Sequence, residues 1–109
     1  MALDEDLAER LRLALGAEDP EEKRMFGGIG FMVDGNLAVA ASGQGGLLVR
    51  VDPAETASLL EEPGTSPMVM RDREMAGWLR IEADAVGEPE ALDRWVGLGV
   101  SRARSLAAG

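Results

Sequence analysis

The chain contains no cysteine, no histidine and no tyrosine. It therefore has no thiol nucleophile, no imidazole base, no Ser-His-Asp or Cys-His arrangement and no His/Cys zinc site. Disulfides are excluded too, so nothing points to an oxidising compartment. Lysine is nearly absent, Lys23 standing alone among arginines, as a GC-rich genome would produce. Positive charge is in deficit: eleven bases face twenty acids, a net charge of −9. Such a balance lacks the footprint for nucleic acid, which is bound by neutralising phosphates, and disfavours anionic membranes. No uncharged stretch reaches the roughly 20 apolar residues of a transmembrane helix. The start of the chain, Asp4-Glu5-Asp6, is acidic where a signal peptide is basic. A soluble cytoplasmic protein is expected.

What is present suffices for one packed domain, residues 1–109. Hydrophobic residues make up 46% and charged residues 28%, the composition of a folded chain and not a disordered one. Leu3, Leu7, Leu11, Ala14 and Leu15 recur at helical spacing, with acids in the first turn and Gly16 as a stop. Residues 17–22 read as an acidic connector.

From Met25 the period becomes two. Ile29, Phe31 and Val33 alternate with small or flexible residues, Asp34-Gly35-Asn36 supplies a turn, and Leu37 and Val39 resume the alternation. Two alternating runs around Asp-Gly are a strong hairpin signal. A Gly-rich turn at 42–46 leads to a third strand, Leu47–Val51. Asp52-Pro53-Ala54-Glu55 is a variant capping box opening a helix to about Glu62. Met68–Met70 is a short strand, Arg71–Glu74 a charged turn, and Trp78–Glu82 a fifth strand. A helix from Pro89 to Ala107 carries the stripe Leu92, Trp95, Val96, Gly99, Ala103 and Leu106. The fold class expected is α+β: an antiparallel sheet of about five strands packed by helices, in the order α-β-β-β-α-β-β-α.

Sites of chemistry are few. Gly27-Gly28-Ile29-Gly30 lacks the Gly-Lys-Ser/Thr of a P-loop and precedes a strand; Gly43-Gln44-Gly45-Gly46 has Leu48 where a dinucleotide fingerprint needs glycine. Both read as turns. The carboxylate pairs Glu82/Asp84 and Asp4/Glu5 read as solvated surface. No cofactor, metal or catalytic residue is expected.

One sheet face is more suggestive. If Leu37, Val39, Val49, Val51, Leu79 and Ile81 meet the helices, the opposite face carries Met32, Ala38, Ala40, Leu48, Arg50, Trp78 and Arg80, with Met68 and Met70 joining. A face left to water should be polar. This one mixes Met, Trp and Arg, types favoured at interfaces. Either it meets a partner, a second copy being the commonest, or the second helix or a loop covers it. A strand edge offers another route to a homodimer.

At Arg24-Met25-Phe26-Gly27-Gly28, followed by Phe31, Asp34-Gly35-Asn36 and Leu48-Val49-Arg50-Val51-Asp52, the chain resembles the N-terminal domain of the TfoX/Sxy family. The likeness runs from the first helix through Trp78 to the Trp95 helix. It implies a small α+β domain with no established enzyme activity. Long members of that family are transcriptional co-regulators of competence with a second, C-terminal domain. This chain stops at Gly109, so a stand-alone short member is expected. Arg24, Met25, Gly27, Gly28 and Gly35 would be structural, with Phe26 a core anchor. The function expected is a cytoplasmic regulatory or protein-interaction module without catalysis, its partner unnamed and its contact face Met32, Leu48, Arg50, Met70, Trp78 and Arg80. The alternative is a small-molecule sensor in which Arg24, Arg50 or Arg80 meets an anionic group.

Overall fold

The computed structural model describes residues 5–25 and 27–108. Helix α1 (Glu5–Ala14) buries Leu7, Ala8 and Leu11 on one stripe. Six strands follow: β1 (Glu21–Met25), β2 (Gly28–Val33), β3 (Asn36–Ala41), β4 (Leu47–Arg50), β5 (Thr65–Met70) and β6 (Arg73–Ile81). A short helix, α2 (Thr56–Leu59), lies between β4 and β5, and the long helix α3 (Pro89–Ala108) closes the fold. The strands form one sheet in the order β1-β2-β3-β4-β6-β5, every neighbour antiparallel.

Alternation places one row of large side chains under the helices. Phe31, Val39, Val49 and Leu79 stand in register across β2, β3, β4 and β6, and all four are fully buried. They pack with Leu7, Leu11 and Leu15 below α1, and with Leu92, Trp95, Val96 and Val100 of α3. Burying each such side chain contributes about 1.5–3 kcal/mol. Leu59 of α2 joins the same cluster, so all three helices lie on one side of the sheet.

The fold is the α+β class expected, with six strands where about five were foreseen. The extra strand is β1, of which the sequence reading places Glu21 and Glu22 in an acidic connector and gives Lys23 and Arg24 no element. Its residues Glu21, Glu22, Lys23 and Arg24 are all exposed, so no apolar period marks it. It is held at the edge by backbone pairing to β2. The second helix is also shorter than foreseen. Asp52 Oδ1 accepts the Ala54 N–H at 2.9 Å, which tightens Pro53–Glu55 into a 3₁₀ turn before the single turn of α2. The charged turn narrows to Arg71 and Asp72, both at positive φ (53° and 65°), while Arg73 and Glu74 belong to β6. Phe26 and Leu3 lie outside the described residues.

One assignment of faces is reversed. Phe31 pairs with Val39 and Met32 with Leu37, so Ala38 is an extra residue, a β-bulge. The bulge turns Ala38 into the helix-side core and Leu37 to the other face, where simple alternation predicts the opposite. Above the bulge sits Gly99 of α3. A Cβ there would lie 2.6 Å from the Ala38 carbonyl oxygen and 2.8 Å from Val39 Cγ1. The helix rests directly on the strand backbone.

Ion pairs tie the helical layer together. Arg12 reaches Glu22 of β1 at 2.7 Å and Glu9 at 3.0 Å. Arg94 holds Glu62 with two hydrogen bonds, and Arg104 holds Glu18. The hydrogen bonds from Arg12 and Arg94 keep Glu22 and Glu62 below the usual carboxylate pKa.

Two predictions follow from this layer. Gly99→Ala gains about 1 kcal/mol of helix propensity but overpacks against β3 at about 1–3 kcal/mol, so urea unfolding is expected to show net destabilisation. Gly97→Ala, where a Cβ meets nothing within 4 Å, is expected to stabilise by up to about 1 kcal/mol. Equal effects at the two sites would refute the close approach. For acid, a carboxylate whose folded pKa is depressed contributes stability that is present above its unfolded pKa and lost as pH falls. Glu22→Gln is therefore expected to be less stable than the parent near neutrality. The two melting temperatures should converge as pH drops from about 5 to about 3. A gap independent of pH would show that the ionised carboxylate is not its source.

Candidate functional site

The face of the sheet away from the helices is open: no helix among the described residues covers it. Strand register assembles it. Lys23, Gly30, Ala40, Leu48, Arg80 and Ser66 form one continuous row across all six strands. Glu21 and Met32 stand beside that row on β1 and β2, and Arg50 pairs with Trp78 between β4 and β6. Gly30 is small for a reason: Met25 Sδ and Leu37 Cδ1 fill the space a Cβ would take, at 2.6 and 2.8 Å.

Along this row the face forms its own minor core. Ala40, Leu48, Met68 and Trp78 cluster, with Leu37 and Met70 packed against them. Leu48 is 3% and Trp78 8% exposed, so neighbouring side chains cover them without a helix. The Arg50 guanidinium stacks on the Trp78 ring, 5.1 Å from its centre, an arrangement in which the ring quadrupole attracts the cation. Burial, and then the nearby Arg102 charge, lower the Arg50 pKa. Met32, Arg50, Met70 and Arg80 are half-buried. Among the expected contact residues, Leu48, Met70, Trp78, Arg50 and Arg80 thus come together towards the β6 side, while Met32 stands apart on β2.

Between β5, β6 and the 42–46 turn the face deepens into a groove of about 570 Å³. Leu48, Pro67, Met68 and Met70 give it an apolar floor, and Ser42, Gln44, Arg71 and Arg80 a polar rim. Arg80 fastens the turn: its guanidinium donates to Ser42 Oγ at 3.2 Å, to the Gln44 carbonyl at 3.3 Å and to the Gly45 carbonyl at 2.5 Å.

Charge divides between the two layers. Lys23, Arg50, Arg73 and Arg80 belong to the open face, and among the described residues none of them forms an ion pair; every ion pair is made by Arg12, Arg94 or Arg104. Glu21 is the acid that the register puts on the same face. A chain of net charge −9 therefore presents one cationic, partly apolar surface. Lys23, Arg73 and Ser42 were not among the expected site residues. Lys23 sat in an unrecognised strand and Arg73 in an overlong turn. Ser42 opens a Gly-rich segment that offers no signal of burial.

The glycines of the Arg24–Gly28 segment occupy a crowded corner. Gly27 has φ of +71°, a Cβ on Gly28 would strike the Ala41 carbonyl oxygen, and one on Gly43 would strike Gly27 backbone. Gly35 has φ of +82° in the hairpin turn. These positions serve backbone packing. Arg24 is exposed and in register with Ile29, on the helix side of the edge strand, so it does not join Arg50 and Arg80 in one anion site. Glu82 and Asp84 are both exposed.

The sequence model of the TfoX N-terminal domain matches residues 12–103. No curated protein matches the chain. Among solved structures, a crystal structure of a protein from Pseudomonas syringae, a structural-genomics target, has a TM-score of 0.66 at 10% identity, over 89% of this chain and 97% of that one. At that identity the likeness concerns the fold alone.

The burial of Trp78 predicts its mutational behaviour. Trp78→Glu places a carboxylate among Ala40, Leu48 and Met68 and is expected to destabilise by about 3 kcal/mol or more. Met70→Glu, at the half-buried rim, is expected to cost less than about 1 kcal/mol. Urea unfolding monitored by circular dichroism checks both; a tolerated Trp78→Glu would mean the minor core does not exist in solution.

Proposed function

The chain belongs to the TfoX N-terminal domain family, and we propose that it is a non-catalytic interaction module that docks an acidic protein surface on the open face of its sheet. The observation that carries this reading is the segregation of charge. Among the described residues Arg12, Arg94 and Arg104 pair with acids in the helical layer, where Arg10, Arg24 and Arg102 also lie. On the open face, by contrast, Arg50, Arg73 and Arg80, near the cluster of Leu48, Met68, Met70 and Trp78, and Lys23 at the β1 edge form no ion pair and face Glu21 as the one acid that the register places with them. Arg and Met beside an aromatic ring suit a protein contact, and unpaired cations favour a partner of opposite sign. A regulatory role is the natural use of such a module, and the cytoplasm its proposed location. Described helices offer no membrane span, and the net charge disfavours nucleic acid.

A second copy is a less favourable partner. A two-fold contact through this face would bring like charges together. The sheet edges are guarded as well. β1 presents Glu21, Glu22, Lys23 and Arg24, and β5 contains Pro67, which has no N–H to offer a new strand.

The test is affinity capture from the native host with three baits: the parent chain, the double variant Met32→Glu/Met70→Glu, and Leu13→Glu. Leu13 is 76% exposed on α1 and serves as the helical-layer control. A binder retained by the parent and by Leu13→Glu but lost by the double variant is expected, and its release should steepen with salt. Loss through Leu13→Glu alone would move the docking surface to the helices. Sedimentation of the parent chain as a dimer that Met70→Glu dissolves would replace the foreign partner with a second copy.

A further inference from the structure

We propose that the groove between β5, β6 and the 42–46 turn binds a small anionic amphiphile, a carboxylate on an unbranched apolar chain. Ser42 carries the argument. It is the buried polar residue of the described chain, at 4% exposure, and it lines the groove. Its Oγ accepts from the Gln44 N–H at 3.0 Å and from Arg80 at 3.2 Å. Both lone pairs are then taken, so the hydroxyl can only donate. Among the described residues that hydrogen has no acceptor.

Arg80 adds to the same demand. Its bonds to Ser42, Gln44 and Gly45 use three of the five N–H donors, all on the terminal nitrogens, and its acceptors are neutral, so its charge stays uncompensated. Arg71, exposed at the hairpin tip, supplies a second cation on the rim. The rim therefore holds donors and positive charge without a carboxylate, while Leu48, Met68 and Met70 offer an apolar floor. Charge-assisted bonds to a carboxylate satisfy the first, and an alkyl tail the second. The groove, at about 570 Å³, lies within the ordinary range for small-ligand sites. A second hollow of about 550 Å³, between α1 and α3, differs in the decisive respect: its Arg104 is paired with Glu18.

This inference does not rest on the docking reading, because it needs only the purified chain and a defined probe. Calorimetric titration with decanoate, kept below its micelle concentration, is expected to give a Kd of roughly 10–100 μM. Decanol and decyltrimethylammonium should bind at least about tenfold more weakly, each lacking the anion. Ser42→Ala is expected to weaken decanoate about five- to tenfold. Met70→Glu, which folds by the argument above, should abolish binding through like charge, and Arg104→Gln should leave it unchanged. Decanol binding as tightly as decanoate would overturn the proposal. So would decanoate binding undiminished in both Ser42→Ala and Met70→Glu, or no heat up to about 1 mM probe.

Discussion

The contact between Gly99 and the bulged strand β3 is the constraint on which the rest of the molecule depends. α3 lies so close to β3 that the space for one methyl group is occupied by the Ala38 carbonyl and the Val39 side chain. That closeness lets a single long helix bury Trp95, Val96 and Val100 against the row from Phe31 to Leu79. The bulge is the other half of the arrangement. With Ala38 and Val39 both turned to the helices, the strand offers a small residue and a branched one side by side. Leu37, released to the far side, then packs with Met25 over Gly30. One inserted residue thus feeds both layers: it seats the helix, and it contributes apolar area to the open face.

The legible parts of the fold were those with a period. Leu7, Leu11 and Leu15 announce α1, the alternation around Asp34-Gly35 announces the first hairpin, and the Leu92–Ala103 stripe announces α3. Their burial obeys the same spacing that reveals them. β1 was illegible because an edge strand held by backbone bonds needs no apolar residue, and Glu21–Arg24 have none. The bulge was illegible for a different reason. Leu37, Ala38 and Val39 are all apolar, so alternation alone cannot tell which pair shares a face. The candidate site inherits both failures. Lys23 lies on the strand that has no apolar period, and Leu37 lies on the layer opposite to the one alternation predicts. Arg50, Leu48, Trp78 and Arg80 were grouped correctly, since β4 and β6 pair without interruption at these positions.

Ser42 lay beyond sequence reading altogether. A serine before Gly43 looks like any turn residue, and its chemistry exists only because Arg80, 38 positions later, folds back to hold the turn. The same guanidinium belongs to the central row of the open face through its pairing with Leu48. It is both a fastening for a Gly-rich loop and an uncompensated charge at a groove. These roles reinforce each other. Neutral carbonyl acceptors fix the geometry of the guanidinium without cancelling its charge, which a carboxylate partner would do.

The charge pattern of the whole chain follows a comparable division. Arg12, Arg94 and Arg104 spend their charge inside the helical layer, each on a glutamate. Exposed pairs of this kind contribute little to stability. Acids remain in excess on that layer even though Arg10, Arg24 and Arg102 lie there too, whereas on the open face Lys23, Arg50, Arg73 and Arg80 outnumber Glu21. A molecule so polarised would meet the proposed acidic partner sheet-first. Within a few Debye lengths its net charge repels such a partner, while the local field of Arg50, Arg73 and Arg80 attracts it, and screening at physiological salt suppresses the longer-ranged repulsion first. Selectivity then lies in orientation: only a partner that meets the open face at contact distance gains from the cations, and only an apolar complement to Met68 and Met70 gains from the floor beneath them.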